Sequence, residues 1–245
     1  MAGVMVITGA SAGIGRAVAE RALADGWSVA MLARRADVLA DLAAGQPRAL
    51  ACACDVTDSA QVEAAFDAAT ARFGRIDVVF NNAGVLPRAG TIDTISDADW
   101  AQGLAVNLTG MFNAARAGFA RMRAQDPQGG RIINNGSVSA QAPRPGSVIY
   151  TTTKHAITGL TRTLALDGRA FGIAAGQIDI GNVRTDLADQ IARGVPQADG
   201  SIRAEPMMDM GAVCDAVMTM AAMPPGANVL NLTVMASSMP LVGRG

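Results

Sequence analysis

Short apolar, β-branched runs alternate with longer amphipathic ones along this chain, and few folds accommodate that order. Val4–Thr8 reads as a strand, Ile14–Ala24 as a helix closed by Asp25-Gly26, Ser28–Ala33 as a second strand and Val38–Ala43 as a second helix. Arg48–Cys54, Ile76–Phe80, Arg131–Asn135, Ile173–Ile180 and Asn228–Val234 continue the strands. Ser59–Arg72, a long stretch from Ser96 to Arg123 punctuated by Gly103, Gly110 and Gly118, Val148–Arg169 and Gly211–Met223 continue the helices. Strands this apolar on both faces belong inside a parallel sheet covered on each side. The expected fold is therefore α/β, a doubly wound parallel sheet of about seven strands with helices on both faces. No repeat, low-complexity tract or linker argues for a second unit, and 245 residues suit one large α/β domain spanning 1–245. Thr185–Asp209, with Gly194, Pro196, Gly200 and Pro206, is the longest irregular stretch and is expected to be a substrate loop or lid.

Composition removes most other chemistries. The net charge is −1, which gives no basic surface for nucleic acid or anionic membrane. The chain has a single tyrosine (Tyr150), a single histidine (His155) and, among its 20 basic residues, a single lysine (Lys154). A histidine-rich metal site is excluded, so no metal is expected, and a serine-histidine triad would have to use His155. No apolar run spans a bilayer, and no cationic segment precedes the first apolar run, so a cytoplasmic protein is expected. Cys52, Cys54 and Cys214 are odd in number and lack C-x-x-C spacing, which favours buried thiols over disulfides.

Thr8-Gly9-Ala10-Ser11-Ala12-Gly13-Ile14-Gly15 follows the first strand and opens the first helix. Glycines there permit a tight turn and close approach to a pyrophosphate, and a helix N-terminus offers free N–H groups to phosphate. Gly9, Ser11, Gly13, Ile14 and Gly15 are thus candidate cofactor contacts. The second strand ends in Arg34-Arg35, where an acid would be expected for the ribose 2′-hydroxyl of NAD. Two guanidinium groups suit a 2′-phosphate, so NADP(H) is expected over NAD(H). Asp55, after the third strand, is placed for an adenine amino group or for a turn. Asn81-Asn82-Ala83-Gly84 lies at the carboxyl edge of the fourth strand, with Asn81, Ala83 and Gly84 as candidate contacts.

Tyr150 and Lys154 are four apart on an expected helix and share one face. A free phenol is a reluctant base at neutral pH, and a neighbouring ammonium favours its ionised form. Lysine can also donate to a ribose and relay protons, which an always-charged arginine does not. His155 points about 100° away around the helix and is read as structural. Trp27 and Trp100 are read as packing residues, and Met207, Met208 and Met210 as core filler that can line an apolar pocket.

Together TGASAGIG (8–15), Asp55-Val56, NNAG (81–84), Asn107, the Ser137 segment, YTTTK (150–154) and Gly181-Asn182-Val183-Arg184-Thr185 resemble the classical short-chain dehydrogenase/reductase family, in its NADP-preferring form and with its Rossmann-type fold, over essentially the whole length. The resemblance implies the following roles. Ser137 would hydrogen-bond the substrate oxygen, with Ser139 the second candidate. Tyr150 would be the general acid or base, and Lys154 would hold the nicotinamide ribose. Asn107 would anchor a relay water, Val56 would join Asp55 at the cofactor, and Gly181, Val183 and Thr185 would hold the carboxamide. The implied activity is NADPH-dependent reduction of a ketone or aldehyde to an alcohol, or its reverse. Reduction of a 3-oxoacyl thioester carried by acyl carrier protein is the alternative, and a non-catalytic nucleotide-binding scaffold is the remaining one. Arg116, Arg121, Arg123 and Arg131 would be candidates for docking such a carrier. A homodimer or homotetramer is also implied, through the helices near 100–123 and 150–169. Two departures stand out: Ile180 replaces the family's proline, and Gly136 stands where a second serine often precedes the catalytic one.

Overall fold

The computed structural model describes residues 3–184 and 194–242. β1 (Val4–Thr8), α1 (Gly13–Ala24), β2 (Ser28–Ala33), α2 (Ala36–Ala43), β3 (Ala49–Ala53), α3 (Ser59–Phe73) and β4 (Val78–Asn81) follow one another. Next come α4 (Asp97–Leu104), a π-helical turn over Ala105–Gly110, α5 (Met111–Ala124), β5 (Gly130–Asn135), α6 (Val148–Asp167) and β6 (Ile173–Ile180). A short hairpin, β7 (Val195–Pro196) with β8 (Ile202–Arg203), precedes α7 (Met210–Ala221) and β9 (Asn231–Val234).

Seven strands form one sheet in the order β3-β2-β1-β4-β5-β6-β9, parallel throughout. This is the doubly wound topology that the alternation predicts. The chain enters at β1 and winds outward to β3, then returns to pair β4 on the other side of β1. At that reversal the connections leave in opposite directions and open a crevice at the carboxyl ends of the strands.

Period-two alternation divides the core. Met5, Ile7, Val29 and Met31 pack with Val18 of α1, Leu39 of α2 and Val213 of α7. Val6, Ala30, Leu32 and Val79 pack on the opposite face with Phe66 of α3, Ala114 of α5 and Leu164 of α6. Aromatic residues are only 4% of the chain, and glycines bring the layers close instead. A Cβ at Gly103 would lie 2.3 Å from Ile149 Cγ2, one at Gly110 2.6 Å from Val56 Cγ2, and one at Gly118 2.7 Å from Val79 Cγ2. These glycines mark where the expected 96–123 helix touches its neighbours. The helix is not one uniform rod: the π turn interrupts it, and Asn107 lies in that turn.

Several boundaries shift for local reasons. β4 begins at Val78 because the Ile76 N–H donates to Gln125 Oε1 at 3.0 Å and its carbonyl accepts from Gln125 Nε2, outside the sheet ladder. α6 ends at Asp167 and tightens into a 3-10 turn over Gly168–Phe171. The described part of the expected 185–209 loop holds the β7–β8 hairpin, and Thr185, an expected cofactor contact, lies outside the described residues. Trp27 packs against the core as expected, whereas Trp100 is 37% exposed. All three cysteines are buried and free. Among the described residues no helix is long and apolar enough to cross a membrane, and no cluster of His, Cys, Asp and Glu suits a metal ion.

Candidate active site

A cleft of about 510 Å³ lies at the carboxyl edge of the sheet. Gly9, Ser11, Gly13 and Ile14 line it from the loop between β1 and α1, and Arg34 and Arg35 from the end of β2. Asp55 and Val56 follow β3, Ala83 and Gly84 follow β4, and Tyr150 and Lys154 enter from α6.

The glycine loop is shaped by close approach. Gly9 has φ +69°, and a Cβ there would stand 2.9 Å from Ala83 Cα. Gly15 faces away from the cleft; a Cβ on it would meet the Gly9 carbonyl at 2.4 Å, so it serves helix–loop packing. The N-terminus of α1 has no side-chain cap and no acid in its first turn. Its N–H groups and partial positive charge therefore remain for an anion in the cleft. Arg35 braces this loop: its Nε and Nη2 donate to Ser11 Oγ at 3.2 and 3.0 Å, and Nη2 also donates to the Ser11 carbonyl at 3.0 Å. Asp55 Oδ1 accepts from the Thr57 N–H and hydroxyl, which hold its carboxyl below the usual carboxylate range, with Arg34 adding to the effect.

On the catalytic side, Lys154 is 5% exposed, and its Nζ donates to the Asn135 carbonyl at 2.7 Å. The same Nζ lies 5.5 Å from the centre of the half-buried Tyr150 ring. Ser137 Oγ accepts from the Ser139 N–H at 3.1 Å, and both serines are buried. Asn107 clamps Val85 with both ends of its amide: Oδ1 accepts from the Val85 N–H at 2.8 Å, and Nδ2 donates to the Val85 carbonyl at 3.0 Å. The Gly181 N–H donates to the Val234 carbonyl, and Val183 bridges Met208. His155 is exposed and its ring hydrogen-bonds only its own helix, at the Thr151 carbonyl, among the described residues.

Asn81 departs from expectation. It is fully buried, turned away from the cleft, and donates to the Met111 carbonyl at 2.7 Å and to Asn134 Oδ1 at 3.1 Å. Its neighbour Asn82 lines the cleft instead. The backbone N–H groups of Asn82 and Ala83 both donate to Thr8 Oγ1, Asn82 Nδ2 donates to the Thr8 carbonyl, and Asn135 Nδ2 donates to Asn82 Oδ1. Asn82 and Asn135 thus line the floor and Thr8 holds the turn beneath it; Thr8 and Asn82 fall within the two motifs read from the sequence, whereas Asn135 has no role assigned there. The signal that marks them is a polar residue at the end of an otherwise apolar strand.

The short chain dehydrogenase family model matches residues 3–195. The chain belongs to that family. A 3β-hydroxysteroid dehydrogenase of Mediterraneibacter gnavus is 32% identical over 206 residues, covering 82% of this chain and 74% of the relative. A 2-(R)-hydroxypropyl-CoM dehydrogenase of Xanthobacter autotrophicus is 34% identical over 238 residues, covering 90% and 92%. In fold, a short-chain dehydrogenase of Streptomyces avermitilis superposes with a TM-score of 0.82 at 29% identity, covering 97% of this chain and 89% of that one. As a short-chain dehydrogenase, the protein is an oxidoreductase of hydroxyl or carbonyl groups that uses a nicotinamide cofactor. The residues present fit that group: an uncapped helix N-terminus and side-chain-free glycines leave room and donors for a diphosphate.

Proposed function

We propose that this dehydrogenase is an NADPH-dependent carbonyl reductase, interconverting a ketone or aldehyde and its alcohol. One observation carries the reading: a single cleft joins the glycine loop, the Arg34–Arg35 pair, and Tyr150 with Lys154. Gly9, Ser11, Gly13 and Ile14 receive the diphosphate, Asp55 and Val56 the adenine, Ala83 and Gly84 the ribose side, and Gly181 and Val183 the carboxamide. Gly15 and Asn81 support these contacts from beneath. Arg34 and Arg35 recognise the 2′-phosphate, with Arg35 already oriented by Ser11.

When bound, the cofactor supplies hydride exchange with the substrate carbon. Tyr150 delivers the proton to the carbonyl oxygen in reduction, or removes it in oxidation. Lys154 keeps two of its three N–H donors beyond the Asn135 bond, available to the ribose and to the Tyr150 side of the cleft. Ser137 is favoured over Ser139 for the substrate oxygen. Its Oγ accepts the Ser139 N–H, which leaves its hydroxyl hydrogen to donate. Asn107 holds the Val85 backbone at the cleft wall and anchors the proton relay.

The small-carbonyl reading is preferred to the carrier-bound thioester because three of the four proposed docking arginines are engaged elsewhere. Arg131 is buried against Asn228 Oδ1 and the Met223 and Ala227 carbonyls. Arg121 pairs with Glu63 and Asp67, and Arg123 lies 4.3 Å over the Phe171 ring. Association through α5 and α6 into a homodimer or homotetramer accompanies this reading. Phe112 and Leu166 on those helices are 45% and 59% exposed.

The test is NADPH oxidation followed at 340 nm against a β-ketoester, a cyclic ketone and a 3-oxoacyl thioester. Tyr150→Phe is expected to abolish turnover while NADPH binding, read by fluorescence, persists; near-normal turnover by that variant refutes the assignment. Arg34→Ala and Arg35→Ala are each expected to raise the KM for NADPH by about 10-fold or more, with the KM for NADH changing far less. Equal efficiency with the two cofactors in the unsubstituted enzyme refutes the NADPH preference.

A further inference from the structure

β6 is apolar at its end except for Gln177 and Asp179, two residues apart and so on one face of the strand. Asp179 is only 1% exposed. Its Oδ1 accepts from the backbone N–H of Ser137 at 3.0 Å and from Gln177 Nε2 at 2.6 Å. Its Oδ2 accepts from Gln141 Nε2 at 2.9 Å and Asn231 Nδ2 at 3.2 Å. All four partners are N–H donors, a set that a carboxylate satisfies and that an amide, with one oxygen, does not. An apolar side chain would occupy this strand position without the cost of desolvating a carboxyl, so packing does not account for Asp179.

Gly136 makes the arrangement possible. A Cβ at that position would stand 2.1 Å from Asp179 Oδ1 and 2.8 Å from Gln177 Nε2. Its φ is not in the left-handed region, so the requirement is for space. The missing second serine and the buried aspartate are therefore one feature: the carboxyl occupies the volume that a side chain at 136 would take. The two ends of the segment 137–141 are both bound to this carboxyl, one through the Ser137 N–H and the other through the Gln141 amide.

We propose that Asp179 is a positioning residue, which fixes the main chain of Ser137 and so sets the direction of its hydroxyl toward the substrate oxygen. The proposal rests on the reading of Ser137 as the donor to that oxygen. Asp179 touches neither substrate nor cofactor in this role and acts through Ser137 alone.

A double-mutant cycle on the full-length enzyme separates this role from a purely structural one. The assay uses NADPH and whichever carbonyl compound of the three-member panel is turned over fastest. Asp179→Asn is expected to lower kcat by about 10- to 100-fold, with the KM for NADPH within about twofold of the parent. On a Ser137→Ala background the same change is expected to cause no further loss. Gln141→Met, at the exposed edge of the cluster, is expected to show a smaller loss with the same dependence on Ser137, and it serves if Asp179→Asn does not fold. In the protein without cofactor, the Ser137 amide hydrogen is expected to exchange at least about tenfold faster in Asp179→Asn, read by NMR. Losses that multiply with Ser137→Ala, a kcat within twofold of the parent, or an unchanged Ser137 exchange rate overturn the positioning role. Near-parental kcat in Ser137→Ala itself overturns the reading of Ser137, and the proposal with it.

Discussion

Cys54 shows how burial decides the chemistry of a side chain that borders the cleft. It is 2% exposed, and burial, reinforced by the charge of Asp55, pushes its thiol up to about 11. At pH 8 only about one thiol in a thousand is then ionised, and the thiolate is the reactive form. Alkylation of Cys54 by iodoacetamide is therefore expected to be slow at pH 8 and to quicken about tenfold per pH unit toward pH 11; mass spectrometry of the labelled peptide reads the rate. Residues whose role depends on near neighbours in the chain are legible in the sequence itself. Tyr150 with Lys154, and Arg34 with Arg35, show through spacing or through placement at a strand end. Asp179 is not legible there, because its meaning lies in the Ser137 N–H 42 residues away. Thr8 is alike: it caps the turn at Asn82, 74 residues distant. The misplacement of Asn81 has the same origin, since sequence says which edge of the sheet holds an asparagine but not which face it turns to.

Secondary-structure elements in this chain approach one another closely where a glycine stands in place of a larger side chain. Gly118 on α5 lies under Val79 of β4 and within 3.3 Å of Phe66 Cε1, as measured from an added Cβ. Gly118→Ala is expected to destabilise the protein by about 1–3 kcal/mol, because the helix must lift from the sheet; urea denaturation measures it. Arg131 ties the start of β5 to the Asn228 side chain and the Met223 and Ala227 carbonyls beyond α7. Arg131→Met removes the donor to those acceptors, which water can reach, and is expected to cost about 1–2 kcal/mol, again by denaturation. The alternation of strands and helices is readable because apolar periodicity differs between the two. The π turn at Ala105–Gly110 is not, because it changes hydrogen-bond spacing without changing the apolar pattern.

The whole molecule combines an arginine-rich exterior with interior thiols, and each has an outcome that can be measured. Burial raises the pKa of Cys52, Cys54 and Cys214 alike. The folded state therefore binds those protons more tightly than the unfolded chain. The associated stability is intact below the ordinary thiol range near 9 and declines as pH rises from there toward 11. A falling Tm over that window is expected, and replacing Cys54 with alanine is expected to flatten the decline. The proposed association through α5 and α6 predicts a dimer or tetramer by light scattering, and a stable monomer contradicts it. The order of the sheet is legible as a topology class, whereas partners across it become visible only in three dimensions. Lys154 is the only lysine of the chain, and the fold hides it beneath the Asn135 carbonyl. The one side-chain amine thus lies inside the cleft and not on the outer surface. An occupant of the cleft would cover that amine, so the rate at which a small acylating dye labels Lys154 reads how far the cleft is filled.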